Sequence, residues 1–237
     1  MGILSFVRKV AMKDIGLSEV PDRVLRPLRL RLGLAPYSRR HFENLYANLG
    51  DPWRYETSTF EHTKYRRTLE ILPRDHFAKI LETGCSVGVF TELVAPYGDD
   101  ILAVDISKVA IQRARQRCQS QRHVRFHQMD LMRGVLEETF DLVLCSDVLP
   151  YLNDITNKDH ICNKIIGWMA EGGYLVLANA AWIAENWPFS QYSQLRLIEE
   201  RRFSDYDYKQ EPGPLEAKTE YVIGLFRKED NRVEVQG

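Results

Sequence analysis

No run in the 237-residue sequence sustains the roughly 20 apolar residues that a helix needs to cross a bilayer. The opening Met1-Gly2-Ile3-Leu4-Ser5-Phe6 leads into no long apolar region or small-residue cleavage site, and Phe6 stands where a myristoylation signal wants Ser or Thr. Cysteine is scarce. Cys85, Cys118, Cys145 and Cys162 make no CxxC pair and no secreted framework, so reduced thiols in a cytoplasmic protein are expected, with none of them a metal ligand. Net charge is nearly missing as well: 32 basic residues against 33 acidic ones give −1, which excludes a surface devoted as a whole to nucleic acid. There is no internal repeat or low-complexity tract, and 44% hydrophobic residues suffice for one full core.

The charge that is present is unevenly spread. Nine basic side chains (Arg8, Lys9, Lys13, Arg23, Arg26, Arg29, Arg31, Arg39 and Arg40) against Asp14, Glu19 and Asp22 give residues 1–40 a charge of +6, leaving −7 for the rest. Prolines at 21, 27 and 36 break this stretch into short amphipathic helices. Its basic face is a solvated surface, a contact with the acidic body, or a contact with anionic lipid, acidic substrate or nucleic acid. From Ser38 a helical spacing of Phe42, Leu45, Tyr46 and Leu49 runs to Gly50. Asp51-Pro52-Trp53 then turns the chain toward a second helix over residues 61–72.

Beyond residue 78 the pattern becomes strand and helix in alternation, as in parallel βαβ units. Strands are predicted at 79–83, 100–105, 124–128, 140–146 and 174–179, with helices at 90–95, 108–119 and 159–169. Two further strands, 201–209 and 219–227, flank the turn-forming Gln210-Glu211-Pro212-Gly213-Pro214 and predict a closing hairpin.

The first predicted strand runs into Glu82-Thr83-Gly84-Cys85-Ser86-Val87-Gly88, and the second ends in Asp105, where a carboxylate can hold the two hydroxyls of a nucleotide ribose. The dinucleotide fingerprint G-x-G-x-x-G is missing: the glycines are spaced Gly84-x-x-x-Gly88, and Glu82 would repel a pyrophosphate. S-adenosylmethionine carries no phosphate and has an ammonium and a sulfonium, which an acid beside the loop favours. A nicotinamide-dependent oxidoreductase is disfavoured by the same spacing and by the late hairpin.

Five segments in succession, Leu81–Gly88, Val104–Ser107, Gln128–Leu131, Phe140–Asp147 and Glu171–Leu175, resemble the ordered motifs of class I S-adenosylmethionine-dependent methyltransferases. Upstream, Asp51-Pro52-Trp53-Arg54-Tyr55-Glu56-Thr57-Ser58 and the Lys64-Tyr65 pair resemble the NodS (nodulation protein S) group, whose nodulation members N-methylate chitooligosaccharides. The resemblance covers about residues 43–180. It implies a Rossmann-like α/β fold: a seven-stranded, mostly parallel sheet with a C-terminal antiparallel hairpin and helices on both faces, to which the N-terminal helical extension, outside the resemblance, is added. The expected organisation is a basic helical extension over 1–40, a methyltransferase domain over 41–228 whose residues 41–78 form a helical lid, and a polar tail over 229–237.

Residue by residue, the resemblance implies S-adenosylmethionine held by the backbone of Gly84, Cys85, Ser86 and Gly88, with Glu82 near the loop. Asp105 takes the ribose hydroxyls, and Ile106 and Ser107 follow it against the adenine. Asp130 and Leu131 meet the adenine amino group and ring, and a carbonyl at Cys145 or Ser146 takes the cofactor ammonium. Trp53, His62 and Tyr65 close the site as a lid. Asp147 and Tyr151 are the candidate catalytic groups, Asp147 to orient an amine or take its proton and Tyr151 to hydrogen-bond the nucleophile. Equally, Asp147 caps the next element and Tyr151 packs. Tyr55, Trp182 and Trp187 are expected along the acceptor, where aromatic faces suit sugar rings as well as flat ones. The expected acceptor is an amine or hydroxyl of a small molecule, a sugar or glycoconjugate among them. Two alternatives stand beside it: a methyltransferase of RNA or another polyanion recruited through residues 1–40, and a cofactor-binding scaffold without chemistry.

Overall fold

The computed structural model of the chain describes residues 39–152, 158–185, 188–206 and 218–229. The basic extension expected over 1–40, apart from Arg39 and Arg40, lies outside the described residues, as do Trp187, the linker Gln210–Pro214 and all of the tail beyond Glu229.

Five strands, β1 (Phe77–Thr83), β2 (Gly98–Asp105), β3 (Val124–Gln128), β4 (Phe140–Ser146) and β5 (Met169–Ala180), run parallel. Strands β6 (Leu195–Tyr206) and β7 (Lys218–Lys228) complete the sheet in the order β3-β2-β1-β4-β5-β7-β6, with β7 antiparallel to both of its neighbours. The central strands read as largely apolar runs because helices cover both faces of the sheet, and the buried polar residues Glu82, Thr83, Asp105 and Asn179 stand near the carboxyl ends of their strands. Alternation then divides each strand. Ile80, Ile101, Leu144 and Val176 face one core with Phe42, Phe60, Tyr65 and Phe90, whereas Leu81, Leu102, Val143 and Leu175 face the other with Ile161, Ile165 and Trp168.

Among the described residues, six α-helices attach to this frame: α1 (Arg39–Leu49), α2 (Thr59–Glu70), α3 (Val89–Val94), α4 (Lys108–Arg117), α5 (Lys158–Trp168) and α6 (Ala181–Ala184). Ser58 caps α2, its hydroxyl accepting from the Glu61 N–H at 3.2 Å, and Ser107 caps α4 by accepting from the Ala110 N–H at 3.2 Å. At the start of α3, Gly88 has φ +82°, and a Cβ there would stand 2.9 Å from the Ala114 Cα. The residue is glycine because α4 crosses too closely for anything larger. Among the described residues, no helix is long and apolar enough to cross a membrane.

Two boundaries differ from the sequence expectation for a physical reason. Strand β5 begins at Met169 rather than 174: Phe140 pairs with Met169, the register shifts, and pairing resumes at Leu142 with Tyr174. The Glu171-Gly172-Gly173 stretch, which reads as a turn, is an irregularity inside the strand, with Gly172 at φ +73°. Strand β6 begins at Leu195 rather than 201, its alternation hidden by a register shift between Leu197 and Glu199.

Candidate active site

The strand order reverses between β1 and β4, and a ligand crevice belongs beyond the carboxyl ends of the strands at such a point. A cavity of about 650 Å³ lies there. Its floor is Gly84 and Ser86 after β1, Asp105 and Ile106 at the end of β2, Met129, Asp130 and Leu131 after β3, and Ser146, Asp147 and Val148 after β4. The roof is aromatic and comes from α1 and the turn behind it. Trp53 stacks on Tyr55 at 5.9 Å between centroids and lies 5.5 Å from Tyr46, and Tyr151 meets Phe42 and Trp53 edge-on at 5.4 and 5.8 Å.

The loop after β1 turns sharply at Gly84, φ +71°, where a Cβ would come within 2.8 Å of the Val148 side chain. Ser86 is also left-handed, φ +51°, and its N–H donates to Asp105 Oδ2 at 3.0 Å. The other Asp105 oxygen accepts from the Ser107 N–H at 2.8 Å. Burial raises the Asp105 carboxyl to about 6 in spite of these two donors. Behind Gly84 a small recess of about 20 Å³ joins Glu82, Cys85, Tyr55 and Tyr65 to Ser146 and Asp147. Burial pushes Glu82 up to about 7, and its Oε2 has no hydrogen-bond partner in the protein. A buried carboxylate oxygen left open beside a glycine loop is a receptor for a donor or a cation.

The roof is tied to the floor by polar contacts. The buried Tyr46 hydroxyl donates to Ser86 Oγ at 2.7 Å. Glu43 on α1 accepts from the Ser107 hydroxyl at 2.9 Å and from the N–H groups of Lys108 and Val109 at 2.8 and 3.1 Å, so its carboxylate sits on the N-terminus of α4. At the other end of α4, Arg117 pairs with Glu56 and donates to the Val87 carbonyl at 3.0 Å.

Asp147, the residue after β4, is left-handed at φ +51°, and its N–H donates to the Ala178 carbonyl at 2.8 Å. Its carboxylate pairs through Oδ2 with Lys64 of α2, a buried ammonium that also lies 2.8 Å from Glu61 Oε2. Burial alone would push Lys64 down, but the carboxylates of Asp147 and Glu61 outweigh it and hold the lysine above its ordinary value. Two carboxylates around one ammonium leave a single negative charge beside the cavity.

Of the residues expected at the site, Trp53, Tyr55, Gly84, Ser86, Asp105, Ile106, Asp130, Leu131, Ser146, Asp147 and Tyr151 line the cavity, and Tyr65, Glu82 and Cys85 line the recess. Five others line neither space. His62 is exposed on α2, its ring nitrogen 2.8 Å from the Tyr55 carbonyl. Gly88 and Ser107 build helix starts, Cys145 is buried in the core behind the sheet, and Trp182 is 45% exposed, away from the cavity. The sequence reading did not anticipate Phe42, Tyr46, Met129, Met132 and Val148 as lining, nor the part taken by Lys64. The helical spacing of Phe42 and Tyr46 was the available signal for the roof; Lys64 was legible only as half of the Lys64-Tyr65 pair, because its partner Asp147 lies 83 residues away.

The profile of the nodulation protein S (NodS) family matches residues 41–205. The nodulation protein S of Bradyrhizobium diazoefficiens is 34% identical over 131 residues, covering 55% of this chain and 63% of the relative. That of Rhizobium tropici is 32% identical over 149 residues, covering 62% and 63%. Among solved structures, the N-methyltransferase NodS from Bradyrhizobium japonicum WM9 in complex with S-adenosyl-L-homocysteine superposes with a TM-score of 0.64 at 26% identity, over 76% of this chain and 93% of that one. The chain thus spans under two thirds of the length of the curated relatives it matches.

Proposed function

Because the chain belongs to the nodulation protein S family, we propose that it is an S-adenosylmethionine-dependent methyltransferase whose acceptor is an amine or hydroxyl of a small molecule, a sugar amine foremost. The observation that carries this reading is one cavity joining a glycine loop, a strand-end carboxylate and an aromatic roof at the reversal of strand order. The N-methyltransferase activity named for the Bradyrhizobium japonicum structure favours nitrogen over oxygen.

The donor set fits this cofactor. The open Oε2 of Glu82 and the net negative charge around Lys64 suit an ammonium and a sulfonium, and the faces of Trp53 and Tyr55 favour cations. Asp105 accepts the ribose hydroxyls, each of its oxygens keeping a lone pair beyond the backbone donor it already holds. Asp130, Ile106 and Leu131 enclose the adenine. When bound, S-adenosylmethionine supplies an electrophilic methyl group, taken by in-line displacement. The protein's share is alignment and the exclusion of water by Phe42, Tyr46, Trp53 and Tyr151. Asp147 orients the acceptor and receives the proton it sheds, and Tyr151, at the same wall, directs the nucleophile.

Calorimetric titration with S-adenosylhomocysteine and, in parallel, NAD tests the cofactor. Binding of the first and not the second is expected, and Asp105→Ala should weaken it about tenfold or more, as loss of charged hydrogen bonds to two hydroxyls implies. Equal binding of NAD, or an unaffected Asp105→Ala, would overturn the assignment. Transfer of a labelled methyl group to a panel of aminosugars, glycans and simple amines then identifies the acceptor.

A further inference from the structure

Lys64 is 3% exposed and does not line the cavity; it reaches the cavity only through Asp147. Burying an ammonium is costly unless carboxylates and hydrogen bonds compensate, and an apolar side chain of similar volume serves a core as well or better. Packing alone therefore gives no reason for a lysine at this position. The cluster it forms is closed on one side and open on the other: the Lys64 and Glu61 side chains are each 4% exposed, the Asp147 side chain 27%. The open end faces both the cavity and the recess.

Asp147 also needs holding. It follows the last residue of β4 in a left-handed conformation that an L-residue adopts at a cost, kept there by its N–H bond to Ala178. With the backbone fixed in this way, the carboxylate orientation depends on what grips its oxygens. Lys64 grips Oδ2, and Glu61, one helical turn earlier on α2, grips Lys64 from behind.

We propose that Lys64 is a positioning residue of the methyl-transfer site, gripping one oxygen of Asp147 so that the other is presented to the acceptor's nucleophile. The proposal rests on the methyltransferase reading of the cavity. Glu61 has a different part: it offsets the lysine's charge and fixes its stem. The groups that interact with this cluster are Glu61 and Tyr65 on α2, Asp147 after β4 and Tyr55 from the turn before α2; burial holds both phenols well above their ordinary range, so they stay neutral.

Two measurements test this. The first compares wild type with Lys64→Met/Glu61→Gln, which removes the ammonium without stranding a buried carboxylate, using glucosamine as acceptor and labelled methyl donor. A kcat lowered about 10- to 100-fold is expected, as for a misaligned group, with the acceptor KM and S-adenosylhomocysteine affinity within about threefold of wild type. Unchanged kcat, or lost S-adenosylhomocysteine binding, overturns the proposal. The second follows the lysine side-chain ammonium signals by NMR through an alkaline titration. Lys64 should stay protonated above the other lysines, and Asp147→Asn should lower its midpoint. A midpoint that does not move overturns the proposal whatever the kinetics give. A wild-type protein that binds S-adenosylhomocysteine and methylates nothing defeats the methyltransferase reading instead, and the titration still decides whether Lys64 and Asp147 are coupled.

Discussion

Glu82 and Asp105 hold their protons more tightly in the folded chain than in water, and in both the main cause is burial. Glu82 moves from 4.5 to about 7, so the folded state binds more protons than the unfolded one in that window. Its stabilising share is therefore complete below pH 4.5 and lost as pH rises through 7, an effect of roughly 3 kcal/mol at most. Glu82→Gln should flatten the fall in stability of the ligand-free protein between pH 5 and about 7.5, read by urea unfolding at a series of pH values. A bound ammonium favours the carboxylate, so cofactor binding near pH 7 should release protons from wild type and fewer from Glu82→Gln. Calorimetry in buffers of different ionisation enthalpy measures that difference. Glu82 was legible in the sequence as an acid before the glycine loop, but its open oxygen was not, because a missing partner is a property of the packed surroundings.

Helix α1 shows the same division one scale up. Its existence and its apolar side followed from the spacing of Phe42, Leu45, Tyr46 and Leu49, and its ends agree within a residue. Its docking did not follow, since Glu43 meets Ser107 and Lys108 more than sixty positions away. Three donors at the start of α4 outweigh partial burial and hold the Glu43 carboxyl below its ordinary value. That contribution is present above pH 4.5 and lost as the pH falls through the lowered value. Glu43→Gln should raise hydrogen exchange across residues 39–49 at pH 7 while leaving α5 unchanged, and acidification of wild type should reproduce the effect. His62 shows the same division: it is exposed on α2 with its ring nitrogen 2.8 Å from the Tyr55 carbonyl, whereas Tyr65, three residues on, is buried and stacks on Phe90 at 4.6 Å.

At the scale of the whole molecule, five parallel strands and a late hairpin were legible because buried parallel strands are continuous apolar runs and a turn-rich linker separates the last two. The insertion of β7 between β5 and β6 was not, because local patterning does not say which hairpin strand takes the inner place. The inner strand has the sequence to be buried: Tyr221, Val222, Ile223 and Leu225 are nearly inaccessible, whereas β6 at the rim carries Glu199, Glu200, Arg201 and Arg202. A chain cut after residue 217 should therefore lose its fold or aggregate, since it bares the whole edge of β5 and the Phe226 side of the core, as light scattering and circular dichroism will report.

The inner place of β7 also sets an order on synthesis. When β5 emerges from the ribosome, every strand it pairs with on one side is already made, while its neighbour on the other side is roughly 50 residues and about 2–10 s away. During that interval the nascent sheet has an apolar flank that the charged β6 cannot seal by itself, so the order of synthesis leaves the inner edge of β5 unpaired until β7 arrives.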